Sequence, residues 1–64
     1  MSAAREPFLV EIIRQGAYAK ATAVDPQTGT EASIVGPAVT PDGYLMRQAS
    51  QKLQRLLGRS AAPV

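Results

Sequence analysis

Residues 25–37, DPQTGTEASIVGP, decide how this chain folds. Pro26 presets φ for the first position of a turn, Asp25 can accept hydrogen bonds from the amides of the turn, and Gly29 tolerates a positive φ. A hairpin loop from Pro26 to Gly29 is therefore predicted, with a returning strand at 30–35. The stretch closes on a glycine and a proline, and the proline ends the strand because it cannot donate to a sheet.

Two further strands are predicted upstream of this loop. Residues 8–14, FLVEIIR, are rich in β-branched and aromatic side chains, and residues 17–24, AYAKATAV, alternate with a period of two. Gln15-Gly16 can form a two-residue turn between these strands. That turn pairs Ile12 with Ala19, so that large side chains of the first strand lie opposite small ones of the second.

The two hairpins agree on which side chains share a face. Each places Ala21 and Ala23 of the middle strand on one face of the sheet. On the opposite face Glu11 is expected to meet Lys20 in a cross-strand ion pair. A slip of one residue would turn every apolar set to the wrong side, so the agreement predicts a three-stranded antiparallel meander.

One amphipathic helix is predicted at about 41–57. Thr40 is placed as its N-cap, Pro41 at its first position and Gly58 just past its end. At 100° per residue the apolar side chains fall on one arc: Leu45, Met46, Ala49, Leu53, Leu56 and Leu57. The leucines are expected to fill the shallow trough above the alanines, which predicts an α+β fold of the order βββα with the helix on one face.

The length bounds the stability of the chain. Its 64 residues make one domain, predicted at 7–58, with flexible tails at 1–6 and 59–64. A chain of this size buries only about 60% of the surface that its unfolded form exposes. The sequence has no cysteine and no histidine, so neither a disulfide nor the usual zinc site can add stability. A second subunit or another protein is the remaining source.

The chemistry of the chain excludes several function classes. With no histidine or cysteine and with the five acids spread over separate elements, no catalytic constellation is found, and we predict no enzyme, cofactor, metal or small-molecule substrate. Gly29 leads into a strand and not into a helix, so the opening stretch is read as a turn and not as a phosphate-binding loop. No apolar run approaches the length of a membrane span, and residues 1–8 lack the apolar core of a signal peptide. A cytoplasmic location is therefore predicted.

Two surfaces remain for a partner. The outer face of the sheet, opposite the helix, carries more large apolar side chains than solvation requires: Leu9, Ile13, Tyr18, Val24 and Val35. We predict a small interaction module that binds another protein or a second copy of itself through this face or through an open edge strand. The plainer interpretation is a semi-apolar sheet face exposed to water.

The alternative surface is the polar side of the helix. Between residues 44 and 59 the chain holds no acid and four basic residues: Arg47, Lys52, Arg55 and Arg59. Such a face could bind nucleic acid or another anionic partner. A solvated face that complements the helix dipole explains the same charges.

A family resemblance covers most of the chain. The run YAKATAVDPQTGTEASIVGPA, residues 18–38, resembles the core of a family of very short, uncharacterised bacterial proteins with a DPxTGTExSIVGPA motif followed by a leucine-rich basic helix. This chain has Ala19, Ala21 and Ala32 where the family has larger β-branched residues, which implies a shallower inner sheet face. The resemblance implies no activity, substrate or site.

Overall fold

A computed structural model describes the backbone of residues 8–61 and the side chains of residues 8–58. Its elements follow in this order: β1 (Leu9–Gln15), β2 (Tyr18–Val24), β3 (Glu31–Pro37) and α1 (Asp42–Ala61). The strands form one antiparallel sheet in the order β1-β2-β3, and α1 packs on one face of it. The predicted βββα architecture is confirmed.

The second hairpin has the predicted register along its whole length. The amide of Asp25 donates to the carbonyl of Thr30 at 2.9 Å, and the amide of Gly29 donates to the carbonyl of Asp25 at 2.7 Å. Gly29 has a φ of 78°. The Asp25 carboxylate accepts hydrogen bonds from the amide of Gln27 and the hydroxyl of Thr28, both at 3.0 Å. The loop is thus held by the residue types that predicted it.

The first hairpin has a different register from the predicted one. Its turn is Gly16-Ala17 and not Gln15-Gly16, so Ile12 pairs with Ala21 and not with Ala19. The reason lies in Gly16, whose φ is 55°, because primed hairpin turns need positive φ at their first central position. The shift is two residues, so every side chain stays on its predicted face.

The shift changes which side chains meet across the outer face. Glu11 lies opposite Thr22, and Lys20 lies opposite Ile13. The predicted pairing of Glu11 with Lys20 is therefore wrong.

The core consists mainly of alanine side chains, with two leucines inserted among them. The buried hydrophobic residues are Ala19, Ala21, Ala23, Ala32, Leu45, Ala49 and Leu53. Leu45 and Leu53 are its largest fully buried side chains. Met46, predicted to lie in the apolar stripe, is instead 44% exposed, because it lies at the margin of that stripe.

The helix begins one residue later than predicted. Its first bond runs from the amide of Leu45 to the carbonyl of Pro41 at 3.1 Å, and Asp42 is its first residue. Thr40 is not the N-cap, because the carbonyl of Pro41 accepts the first helical bond; the amide of Thr40 closes a turn on the carbonyl of Pro37 at 3.0 Å. Pro41 takes the N-cap position in its place.

The helix also ends later than predicted. It continues through Gly58 to Ala61. A glycine ends a helix when it takes positive φ, and among the described glycines Gly16 and Gly29 do so, whereas Gly58 does not. The first three residues of the predicted tail, 59–64, therefore lie in α1. The remainder of that tail and the tail predicted at 1–6 lie outside the described residues.

Candidate functional site

The outer face of the sheet is an apolar surface that the fold leaves uncovered. Because α1 packs on the opposite face, Leu9, Ile13, Tyr18 and Val35 stay exposed, and Val24 is half-buried. These are the five residues that the sequence assigned to a protein interface. The structure places all of them on this face.

The observed registers arrange this face in rows across the three strands. From one end of the sheet to the other, the rows are Leu9–Val24–Glu31, Glu11–Thr22–Ser33, Ile13–Lys20–Val35 and Gln15–Tyr18–Pro37. The second row is polar, and the Thr22 and Ser33 hydroxyls share a hydrogen bond of 2.9 Å. The apolar side chains therefore form two groups. We call the larger one, Ile13, Tyr18 and Val35, the turn-end patch.

The polar side of the helix does not present its predicted cations as one open patch. Arg47 and Arg55 are exposed. Lys52 instead donates from Nζ to the carbonyl oxygen of Ser33 at 2.9 Å. Arg59 lies in α1, but its side chain is outside the described part of the chain.

Helix geometry explains the position of Lys52. At 100° per residue, Lys52 falls beside Leu45 and Leu56, at the margin of the buried stripe and not opposite it. From there its long side chain reaches β3. The cation therefore serves the contact between helix and sheet.

The two edges of the sheet differ in how far they are covered. Asp25 and Thr30 form a hydrogen-bonded pair, and bonded pairs alternate with non-bonded pairs along an antiparallel ladder. The backbone N–H and C=O groups of Ser33 and Val35 in β3 therefore point away from β2. Lys52 takes the outward carbonyl of Ser33, and Pro37, at the end of the strand, has no N–H to offer. A lysine and a proline are devices that protect an edge strand from further pairing.

The β1 edge carries no such protection among the described residues. The turn Gly16-Ala17 makes Gln15 and Tyr18 a hydrogen-bonded pair. By alternation, the N–H and C=O groups of Val10, Ile12 and Arg14 point away from β2. Within residues 8–61 nothing pairs with them. Among the described residues, β1 is therefore the more open of the two edges.

Arg14 forms a contact that the sequence reasoning missed. Its Nε donates to the carbonyl of Ala38 at 3.0 Å, its Nη2 donates to the carbonyl of Thr40 at 2.6 Å, and its Nη1 lies 2.6 Å from Oδ1 of Asp42. A planar guanidinium suits such a set of acceptors. Arg14 thus ties the end of β1 to the start of α1. The sequence feature that could have indicated this contact was the position of Arg14 as the charged residue on the helix-facing side of β1.

Two features are not found in the part of the chain that the structure describes. Among them, no group of three acidic, histidine or cysteine side chains lies close enough to hold a metal ion. Within the same part of the chain, no helix combines the length and apolar character of a membrane span.

Comparison with known proteins agrees with an uncharacterised family. A family model described as a domain of unknown function (DUF6898) matches residues 5–60, which is most of the chain. Neither a curated protein nor a solved structure matches the sequence.

Proposed function

We propose that this chain, which belongs to the DUF6898 family, is a small non-catalytic protein-interaction module that binds through the outer sheet face or through the open edge of β1. The observation that carries the proposal is the exposure of the turn-end patch on the sheet face opposite α1. The bacterial source and the cytoplasmic location of the chain stay predictions from the sequence.

The energetics of the chain support a partner. The buried core contains two large side chains, and its other members are alanines. A small domain with little buried apolar surface has a thin stability margin. Val35 is 64% exposed and lies in the same row as Ile13, with Lys20 between them, so a partner that covers both must also accommodate the Lys20 ammonium. Covering them would add the apolar burial that the core lacks.

We do not carry the nucleic-acid alternative further. It needs several unengaged cations on one face, and Lys52 already donates to Ser33. Single-strand binding also uses several aromatic stacking platforms. Tyr44 is the aromatic side chain exposed on the described part of the helix.

The test compares two isosteric substitutions at exposed valines. Val35→Thr replaces a methyl group of the turn-end patch with a hydroxyl, and Val39→Thr does the same in the loop before α1, where the side chain is 88% exposed. Each variant, with the unchanged chain, is immobilised and used to capture proteins from the source cell, followed by mass spectrometry. A double variant, Ile13→Thr with Val35→Thr, enlarges the change on the patch.

The expected result is a partner retained by the unchanged chain and by Val39→Thr but lost from the double variant. Concentration-dependent self-association of the unchanged chain, weakened by the double variant or by a change on the β1 edge, also supports the proposal. A chain that captures nothing specific and stays monomeric refutes it.

A further inference from the structure

We infer that the partner of this module is a second copy of the chain, joined by antiparallel pairing of β1 with β1 into one continuous sheet. The inference rests on the proposed function and names both the surface and the occupant. It follows from three features of the structure: the unpaired backbone groups of β1, the incomplete cover over its inner side chains, and the distribution of charge along the strand.

The backbone of β1 is complementary to a rotated copy of itself. Its outward N–H and C=O groups recur at every second residue, at Val10, Ile12 and Arg14. A two-fold axis normal to the sheet presents the same groups at the same spacing in the opposite direction. On β3 the same operation is disfavoured, because the carbonyl of Ser33 already accepts from Lys52 and Pro37 has no N–H to donate.

The helix covers the inner face of β1 only in part. It packs mainly over β2 and β3. Accordingly, Val10 and Ile12 are half-buried, whereas the alanines of β2 are fully buried. On the flank of α1 that lies away from Lys52, Met46 is exposed and Leu57 is half-buried. A partly uncovered apolar surface therefore lies beside the β1 edge. We call it the apolar step, and it consists of Val10, Ile12, Met46 and Leu57.

A second copy fits this step. A two-fold axis normal to the sheet keeps both helices on the same face, so the two steps meet above the joined β1 strands. Val10 and Ile12 of both copies would then lie between the helices. The contact combines backbone pairing with apolar burial, which is how edge-strand addition gains affinity.

Charge selects the register. Ile12 is the middle residue of Leu9–Gln15, and placing it opposite Ile12 of the second copy pairs the full strand with about six hydrogen bonds. In this register Glu11 lies opposite Ile13 of the second copy. Centring the pair on Glu11 would set two carboxylates directly opposite each other, which destabilises a sheet. The register centred on Ile12 is therefore the one we assign.

The first measurement follows amide exchange of the unchanged chain at two concentrations. In the monomer the amides of Val10 and Ile12 point to water and exchange rapidly, whereas those of Glu11 and Ile13 are bonded to β2. Raising the concentration from about 20 µM to about 1 mM should slow exchange at Val10 and Ile12 at least tenfold, together with a doubling of mass in sedimentation. A monomer at both concentrations with rapid exchange at Val10 and Ile12 overturns the inference.

The second measurement compares a proline on each edge. Ile12→Pro and Val35→Pro each remove one outward amide, a position where an edge strand tolerates proline. We expect Ile12→Pro to weaken self-association at least tenfold and Val35→Pro to leave it within about twofold. Weakening by Val35→Pro alone would assign the contact to the outer face or to β3, and would overturn the inference.

The register has its own control. Glu11→Gln should change the dissociation constant less than about twofold, because Glu11 faces an apolar side chain in the assigned register. A large strengthening would show that two carboxylates meet at the two-fold axis and would refute the register. A monomeric chain that still captures another protein through the turn-end patch would refute β1 pairing while leaving the proposed function in place.

Discussion

The two-leucine core predicts that Leu53→Ala is among the most damaging single changes in this protein. Leu53 is fully buried and lies against the alanine row of the sheet. The change deletes about three methylene equivalents at about 0.8 kcal/mol each, so the transfer loss alone is about 2.4 kcal/mol. A cavity term adds to this, and Leu→Ala changes in cores cost about 2.7–5 kcal/mol.

The surroundings place Leu53→Ala in the middle of that range or above it. Most other members of the buried cluster are alanines, which have no rotatable carbon that could swing into the space. The larger, partly buried side chains that pack against the cluster, among them Ile12 and Leu56, can relax into it only in part. We therefore expect a loss of about 3–4 kcal/mol. At about 0.05–0.15 kcal/mol per residue, a domain of this size has a total stability of about 3–10 kcal/mol. The variant should thus retain a small part of its stability or be unfolded.

The assay is urea denaturation followed by far-UV circular dichroism, with Met46→Ala as the matched control. Met46 lies on the same helix, has a side chain of similar volume and is 44% exposed. Its replacement by alanine should cost less than about 1.5 kcal/mol, because part of its surface is already in water. Equal losses for the two variants would refute the two-leucine core. So would a loss below about 1 kcal/mol for Leu53→Ala.

Two further predictions concern the contacts that hold the strands and the helix. Gly29→Val should destabilise the fold by about 1 kcal/mol or more through backbone strain alone, because φ is 78° and nothing lies within 4 Å of an added Cβ. Gly58→Ala, in the helix, should instead stabilise the fold by about 0.5–1 kcal/mol. If thermal unfolding shows that both substitutions shift stability in the same direction, the assigned loop is contradicted. Arg14→Met should lower stability by about 1 kcal/mol, a figure reduced for the partial exposure of the group. Amide exchange near Thr40 should quicken in that variant, and Arg14→Lys should restore at most part of the protection, because an ammonium lacks the planar fork; unchanged exchange near Thr40 in Arg14→Met would refute the role of Arg14.

The elements of the fold could be predicted because their signals are local. The Asp-Pro start and the glycine of the second loop specify its turn through their own backbone preferences. Period-two alternation then assigns each side chain of β1 and β2 to a face. The five outer-face residues assigned from the sequence share one face in the structure for this reason.

The first hairpin shows where local signals become insufficient. Turns at Gln15-Gly16 and at Gly16-Ala17 differ by two residues in register and send every side chain to the same face. Alternation therefore cannot separate them. The positive φ of Gly16 at the first turn position decides between them. Local signals are also insufficient for the two ends of the helix. Thr40 and Gly58 are residue types that cap helices, but the turn at Thr40 and the backbone conformation of Gly58 override that preference.

By itself, the sequence determined the order of the elements, the second hairpin and the two faces of the sheet, because each depends on residues that are close in the chain. The tertiary structure alone decided how the surfaces are used. Lys52 and Ser33 are 19 residues apart and Arg14 and Thr40 are 26 apart, so no local pattern indicates that they meet. These long-range contacts protect one sheet edge and anchor the helix. They leave the outer edge of β1 unpaired within the described residues 8–61.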